Sequence, residues 1–278
     1  MLNIKNAQLV RPLNLPWLPC FFLAVLLALS VALVHGEPPT PRAYDNTVAT
    51  VTKISAELHQ ALDAGKRREL RAEPKFLSGL NTPWIAPVTD AAPPANAVVL
   101  SSGFVDLLNH LAHAKALDES VSGYFDQYVR ALPQDGSTPL EPVGKALSNE
   151  QVWNFDTMNY QISIFNQMTG TLLAIEMAHH YLGHSKKHGA NSSAAGKALE
   201  PFTEKLTEKE WREAVLKGAR NALDCGLGVD GFRTILAAVE KLPTRPKWSA
   251  CFVHPKADTS KLNRELEKLE KDFFLVEK

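Results

Sequence analysis

The sequence predicts a mainly α-helical domain with at most a small β-hairpin. Apolar residues recur at helical spacing in several segments, the longest of which covers about residues 149–188, and alternating strand patterns are scarce. With 278 residues, of which 45% are hydrophobic and 22% charged, the chain can bury a substantial core. Its 30 basic and 30 acidic side chains balance, so the basic excess typical of nucleic-acid binders is missing and we expect no nucleic-acid partner.

The N-terminal segment has the pattern of a secretory signal peptide. Residues 1–36 contain no acidic residue and two basic ones, Lys5 and Arg11, and the apolar run that follows ends in small residues typical of a cleavage site. The alternative is an uncleaved membrane anchor, because residues 17–34 reach the short limit for a span. Both interpretations predict export to the periplasm, the extracellular space or the outer face of a membrane, and an uncleaved anchor would add membrane association through residues 12–34.

Two cysteines, Cys225 and Cys251, follow the predicted cleavage site. An even pair in an oxidising compartment favours one disulfide. The alternative is a pair of buried thiols.

The rest of the chain is expected to divide near residue 95. Residues 37–95 read as a proline-rich tether with a first helix, and residues 96–278 as the helical domain. Thr207-Glu208-Lys209-Glu210 is a capping box, so a helix should begin there and end at Gly226. We further expect a strand at 96–100, helices at 103–117, 123–132 and 229–242, and an amphipathic tail helix through 262–273.

The most informative segment is Glu176-Met-Ala-His179-His180-Tyr-Leu-Gly-His184. On one continuous helix, Glu176, His180 and His184 would lie within about 80° of one another. Two imidazoles four residues apart with a nearby carboxylate form the geometry of helical zinc sites, in which the ion polarises water. The alternative is a solvated helix end, where cationic histidines are favourable.

This segment resembles the zinc-binding helix of the gluzincin metallopeptidases, specifically the heat-shock and CAAX-endopeptidase family, whose H-E-x-x-H motif is followed by a further G-H. Residues 96–105 are similar to that family's N-A-x-x-x-P-G-G strand and turn, and residues 214–226 resemble its second helix. The resemblance implies a zinc cofactor and hydrolysis of a peptide or protein substrate. The implied site comprises Glu176 as general base and, as metal ligands, His180 and His184 (or His179) with Glu213.

The segment nevertheless contains no intact H-E-x-x-H motif. If Glu176 is aligned with the family's glutamate, Ile175 stands where the first histidine belongs. If His180 and His184 are the two ligands, Tyr181 takes the place of the glutamate. The alternative function is therefore a catalytically inactive protein of this fold, acting as an envelope binding or chaperone-like module.

Other site chemistries have less support. One face of the predicted 103–117 helix carries Asp106, His110 and His113. These side chains would either complete a metal site or form a solvent-exposed polar surface. Glu176-x-x-His179 is the unit of di-iron bundles, but these need a second such unit, which the sequence lacks. The sequence also has neither a G-x-S-x-G nucleophile motif nor a Gly-rich phosphate loop.

Overall fold

A computed structural model describes residues 44, 46–90, 93–134, 140–190 and 200–276. The predicted signal peptide or anchor and the proline-rich tether at 37–43 lie outside these residues. Within them, none of the helices combines the length and apolar character needed to cross a membrane. The described part of the chain is mainly helical with one small sheet, which confirms the predicted fold class.

The described residues form ten α-helices, three strands and two 3₁₀ helices. In order they are α1 (Thr47–Ala61), α2 (Ala64–Glu69), β1 (Lys75–Leu77), β2 (Ile85–Thr89), β3 (Asn96–Ser101), α3 (Ser102–Asp118), α4 (Tyr124–Ala131), α5 (Asn149–Trp153), α6 (Phe155–Tyr181), α7 (His184–His188), a 3₁₀ helix (Phe202–Lys205), α8 (Glu208–Asp224), α9 (Asp230–Glu240), a second 3₁₀ helix (Lys247–Cys251) and α10 (Thr259–Val276).

The long helix α6 is the centre of the fold. It packs against α1, α3, α8 and α9 and against strands β2 and β3, and its C-terminal half is buried on every side, as expected for a core helix. Small residues permit the closest contacts. A Cβ atom on Gly218 of α8 would lie only 2.6 Å from the backbone nitrogen of Ile175, so the glycine lets the two helices touch one residue before Glu176.

The predicted 149–188 helix is divided into three. The chain is extended at Asn154, whose side chain accepts a hydrogen bond from Thr157 N (2.9 Å) and so begins α6 afresh after α5. At the other end, Gly183 adopts a left-handed conformation with φ 79°, which ends α6 and begins α7. The sequence prediction of one continuous helix was therefore wrong at both ends.

The sheet has three strands in the order β1-β3-β2, with β1 parallel and β2 antiparallel to the central strand β3. The sequence predicted only β3. β2 contains Pro87, which is tolerated because β2 is an edge strand with one neighbour in the described sheet. The predicted domain boundary at residue 95 falls between strands that pair with each other, so β1, β2 and the first helix belong to the same unit as the rest, residues 46–278.

The C-terminal helices agree closely with their sequence signals. Thr207 and Glu210 form the predicted capping box of α8. That helix ends at Asp224, and Gly226 follows with φ 76°, as predicted. The tail helix α10 packs on α8 and α9, and Arg212 of α8 binds Glu265 of α10 through an ion pair.

The predicted disulfide is not present in the structure. Cys225 is partly buried, and its thiol donates to the carbonyl oxygen of Glu57 in α1 (3.5 Å). Cys251 is buried, and its thiol donates to the carbonyl oxygen of Trp248 (3.2 Å). The two sulfurs therefore have different neighbours, as in the alternative of two separate thiols.

Candidate functional site

The Glu/His cluster, defined as Glu176, His179, His180 and His184, lies where α6 meets the sheet and α8. Its four side chains are almost fully enclosed, with exposed fractions of 1%, 0%, 6% and 6% respectively. The surrounding layers are β2 and β3, α8 and the two 3₁₀ helices. This burial excludes the solvated helix end that was the alternative interpretation of the sequence.

His179 and His184 form the closest pair in the cluster. Their Nδ1 atoms are 3.1 Å apart, so one ring donates a hydrogen bond and the other accepts it. The left-handed turn at Gly183 makes this pair possible by folding the chain back after α6. Extrapolation along one straight helix had grouped His184 with His180 instead, and the break at Gly183 is the physical reason for the difference.

Burial keeps both rings of this pair neutral. It lowers the pKa of His179 to about 3, and it also lowers the pKa of His184. The His179 ring meets Phe202 edge-on, with centroids 5.2 Å apart, and its Nε2 atom is buried without a hydrogen-bond partner in the described structure.

His180 joins the long helix to the sheet. Its Nε2 atom donates a hydrogen bond to the carbonyl oxygen of Ala97 in β3, at 2.9 Å. Burial lowers the pKa of His180 to about 4, so the ring stays neutral at physiological pH. The other ring nitrogen, Nδ1, is buried and has no partner among the residues that the structure describes. His180 therefore contacts the sheet rather than His184.

Glu176 is a buried, protonated carboxylic acid at neutral pH. Burial raises the pKa of its side chain to about 8, and its Oε2 atom makes no hydrogen bond within the described part of the chain. Cys251 is close enough to be affected by Glu176, because the pKa of its thiol is raised by burial and further by that carboxyl group. A general base for peptide hydrolysis must reach water and the substrate, and an acid that is 1% exposed reaches neither in this conformation.

Glu213, the remaining predicted ligand, lies on the exposed side of α8. It is close enough to His184 to act on its pKa electrostatically, against the larger effect of burial. Its neighbour Glu210 has more specific contacts: it accepts hydrogen bonds from Lys187 Nζ (2.6 Å) and His188 Nε2 (3.1 Å).

The predicted zinc ligands do not assemble into one site. Among the described residues, no three His, Cys, Asp or Glu side chains are grouped so as to hold a metal ion. His179 and His184 are paired, His180 is bonded to β3, and Glu213 is exposed. Two nitrogens of the His179–His184 pair could ligate an ion together, but a zinc site needs at least three protein ligands.

The second histidine face is structural. His110 Nδ1 is 2.6 Å from the hydroxyl of Tyr128, which donates in turn to the carbonyl oxygen of Glu141. His113 Nε2 donates to the carbonyl oxygen of Val152 at 2.8 Å. Both rings therefore fasten loops and α5 to α3, and the exposed side chain of Asp106 completes no site with them.

Comparison of the chain with protein-family models, with characterised proteins and with solved structures gives no match. The gluzincin resemblance accordingly remains a prediction from the sequence, and the functional argument rests on the geometry of the Glu/His cluster.

Proposed function

We propose that this chain is an exported, non-catalytic binding protein with a metallopeptidase-like helical core, in which the Glu/His cluster has become part of the packing. The observation that carries the proposal is the enclosure of Glu176, which is 1% exposed and protonated at neutral pH. An acid in that state cannot activate water for attack on a peptide bond.

The contacts of the histidines support the same function. His180 donates a hydrogen bond to the β3 backbone, and His179 and His184 form a hydrogen bond with each other. Each of these contacts fastens one element to another, which is what packing residues do. The export prediction complements this function, because it would place the domain in an envelope or extracellular compartment.

A second candidate function is a zinc-dependent peptidase. The observation in its favour is the His179–His184 pair, whose Nδ1 atoms lie 3.1 Å apart, together with buried polar atoms that lack hydrogen-bond partners on Glu176, His179 and His180. Such atoms would be satisfied by a bound ion. This candidate requires a rearrangement that brings in a third ligand and admits water.

Metal content and hydrolysis distinguish the two candidates. The purified exported protein is incubated with zinc, desalted and measured by elemental mass spectrometry, alongside the His179→Ala and His184→Ala variants. A fluorogenic peptide mixture and casein test hydrolysis, with Glu176→Gln as the matched variant. We expect less than stoichiometric zinc and no hydrolysis. One zinc per chain that is lost in both histidine variants, with hydrolysis that is lost in Glu176→Gln, would establish the peptidase instead.

A further inference from the structure

Three large apolar side chains, Val48, Phe155 and Ile162, are exposed on the surface and are here called the apolar face. Their exposed fractions are 56%, 79% and 50%, although side chains of these types are usually buried. Single exposed apolar residues are common, whereas a group of them on one surface marks a contact site. The positions of the three residues therefore decide whether they form such a site.

Phe155 and Ile162 project from the same side of α6. They are seven residues apart, which brings them within about 20° of one another around the helix axis. His180 follows Ile162 by about five full turns, so it points to that side as well, and there it donates a hydrogen bond to Ala97 of β3. The sheet covers this side of α6 near His180, whereas Phe155 and Ile162 lie on a part of it that is exposed.

The neighbouring helix α1 runs parallel to α6. Ile54 of α1 packs at Gly170, where its Cγ2 atom is 3.5 Å from the position of a Cβ atom on the glycine. Further along both segments, Lys66 Nζ lies over the ring of Tyr181, 4.9 Å from its centroid. The two segments therefore advance in the same direction, and the beginning of α1 lies beside the first half of α6.

Val48 extends the exposed side of α6 onto α1. It precedes Ile54 by six residues, or about 9 Å, and so lies about level with the α6 turn that contains Ile162. Around the α1 axis, Val48 is displaced by about 120° from Ile54. Around the α6 axis, Ile162 is displaced by about 80° from Gly170, in the opposite sense. Because the two reference residues face each other, these displacements turn Val48 and Ile162 to the same side of the helix pair.

The apolar face carries no charge. Residues 157–175 of α6 contain no charged side chain, and Asp156 points about 100° away from Phe155. In the first ten residues of α1, Lys53 is the charged one, and it points about 140° away from Val48. A charged ligand would gain no ion pair on this surface, whereas an apolar contact would remove all three side chains from water.

The chain before α1 connects this surface to the apolar N-terminal segment. Residues 17–34 contain no charged side chain, and ten residues lead from Val34 to Tyr44, the first residue that the structure describes. Ten residues span at most about 33–36 Å when fully extended. A bilayer that holds residues 17–34 as an anchor therefore lies within that reach of the chain at Tyr44, close to Val48.

From these observations we infer that residues 17–34 remain as a membrane anchor and that the apolar face lies on the lipid surface of the same membrane. Phe155, Ile162 and Val48 would then sit at the boundary between headgroups and acyl chains, where apolar side chains of a surface-bound helix insert. The anchor has the short limit of length for a span, so a second contact with lipid would add to its attachment.

The size of the apolar face favours lipid over a second copy of the chain. At their exposed fractions the three side chains offer on the order of 300 Å² of surface. A stable protein–protein interface buries about 800 Å² on each partner and needs complementary shape, whereas lipid needs neither. The inference goes beyond the proposed function, because it uses neither the Glu/His cluster nor a soluble ligand.

The test uses the purified full-length chain in phosphatidylcholine vesicles. A small fraction of the lipid carries a photoreactive diazirine on its acyl chain, and peptide mass spectrometry after irradiation locates the labelled residues. We expect labels on the peptides that contain Val48, Phe155 and Ile162, in addition to the anchor. Replacement of part of the lipid by phosphatidylglycerol should leave this pattern unchanged, because the apolar face has no charge to respond to an anionic surface.

Variants assign the labels to the apolar face. Phe155→Asn combined with Ile162→Asn should lower labelling of the Val48 peptide roughly tenfold, because burial of one large apolar side chain contributes about that factor or more. Phe274→Asn combined with Leu275→Asn is the matched control, since both residues are exposed but lie on α10, which packs on α8 and α9. Circular dichroism checks folding, and if the first variant does not fold, the label pattern of the unaltered chain still decides.

Four outcomes overturn the inference. They are labels confined to residues 1–36, labels at Val48 that persist in the Phe155/Ile162 variant, cross-links that join the apolar face to a second copy in place of lipid, and an N-terminus near residue 37 in the chain isolated from cells. Metal content and hydrolysis enter none of these measurements, so a failure here is distinguishable from a failure of the proposed non-catalytic core.

Discussion

Replacement of Glu176 by Gln tests the enclosure on which the proposed function depends. Glutamine has the shape of glutamate but does not ionise, so the variant keeps the packing of α6 and removes only the titration. Burial raises the pKa of Glu176 from 4.5 to about 8 in the folded chain. We therefore expect the stability difference between the variant and the unaltered protein to depend on pH.

The sign and size of this dependence follow from the two pKa values. Below pH 4.5 the carboxyl is protonated in both the folded and the unfolded chain, so its ionisation costs nothing. Between 4.5 and about 8 the unfolded chain releases the proton and the folded chain keeps it, so the free energy of unfolding falls as pH rises. Each pH unit in this window corresponds to about 1.4 kcal/mol, which gives at most about 3 kcal/mol between pH 5.5 and pH 8.

Urea denaturation followed by circular dichroism at pH 5.5, 7 and 8 measures this difference. The Gln variant should gain stability over the unaltered protein as pH rises, while contributions from the histidines cancel because both proteins carry them. Glu150→Gln is the matched control for the chemistry of the substitution, since Glu150 is exposed in the first turn of α5. A pH-independent difference for Glu176→Gln would mean that the carboxyl ionises normally and reaches water, and the reasoning from enclosure would fail.

Three other predictions concern the packing. His180→Ala should cost about 2–4 kcal/mol of unfolding free energy, because it removes the hydrogen bond to Ala97 and leaves a cavity; a loss below 1 kcal/mol in urea would contradict that bond. Gly103→Ala should cost about 1–3 kcal/mol or prevent folding, since a Cβ there would overlap a backbone oxygen of the β1–β2 loop; an unchanged melting temperature would refute the contact. Alkylation followed by mass spectrometry should show that Cys225 reacts slowly, because burial raises the pKa of its thiol to about 11. Cys251, which is buried, should react only in urea. A disulfide that alkylation leaves unlabelled would refute two free thiols.

Local signals were sufficient for most of the helices. The capping box at Thr207 and the glycine at position 226 define α8 from its own sequence, and the structure places both as predicted. The strands were harder to predict because their pairing is long-range. β2 has prolines within and beside it, which read as breakers, and only its register against β3 makes it a strand.

The candidate site could be predicted only in part from local sequence. Periodicity placed Glu176, His179 and His180 on a core helix, and the structure buries all three. The histidine that contacts His184 depends on whether the helix continues through Gly183. A glycine can either continue a helix or end it in a left-handed conformation, so the sequence alone does not decide between the two. Ala97 in β3, which accepts the hydrogen bond of His180, and Cys251, on which Glu176 acts electrostatically, are distant in sequence and give no local signal.

The Glu/His cluster has a cost in folding free energy that the rest of the fold must offset, whichever function is correct. Oε2 of Glu176, Nε2 of His179 and Nδ1 of His180 are buried without partners in the described structure, and each such atom costs about 1–3 kcal/mol. An apolar helix of the same shape would avoid that cost, so these residues are not explained by stability alone. A metal ion that binds only the folded chain would convert the cost into a gain that grows with its concentration. If zinc leaves the melting temperature unchanged, zinc does not supply that compensation, and the packing of the core must offset the cost of these polar atoms.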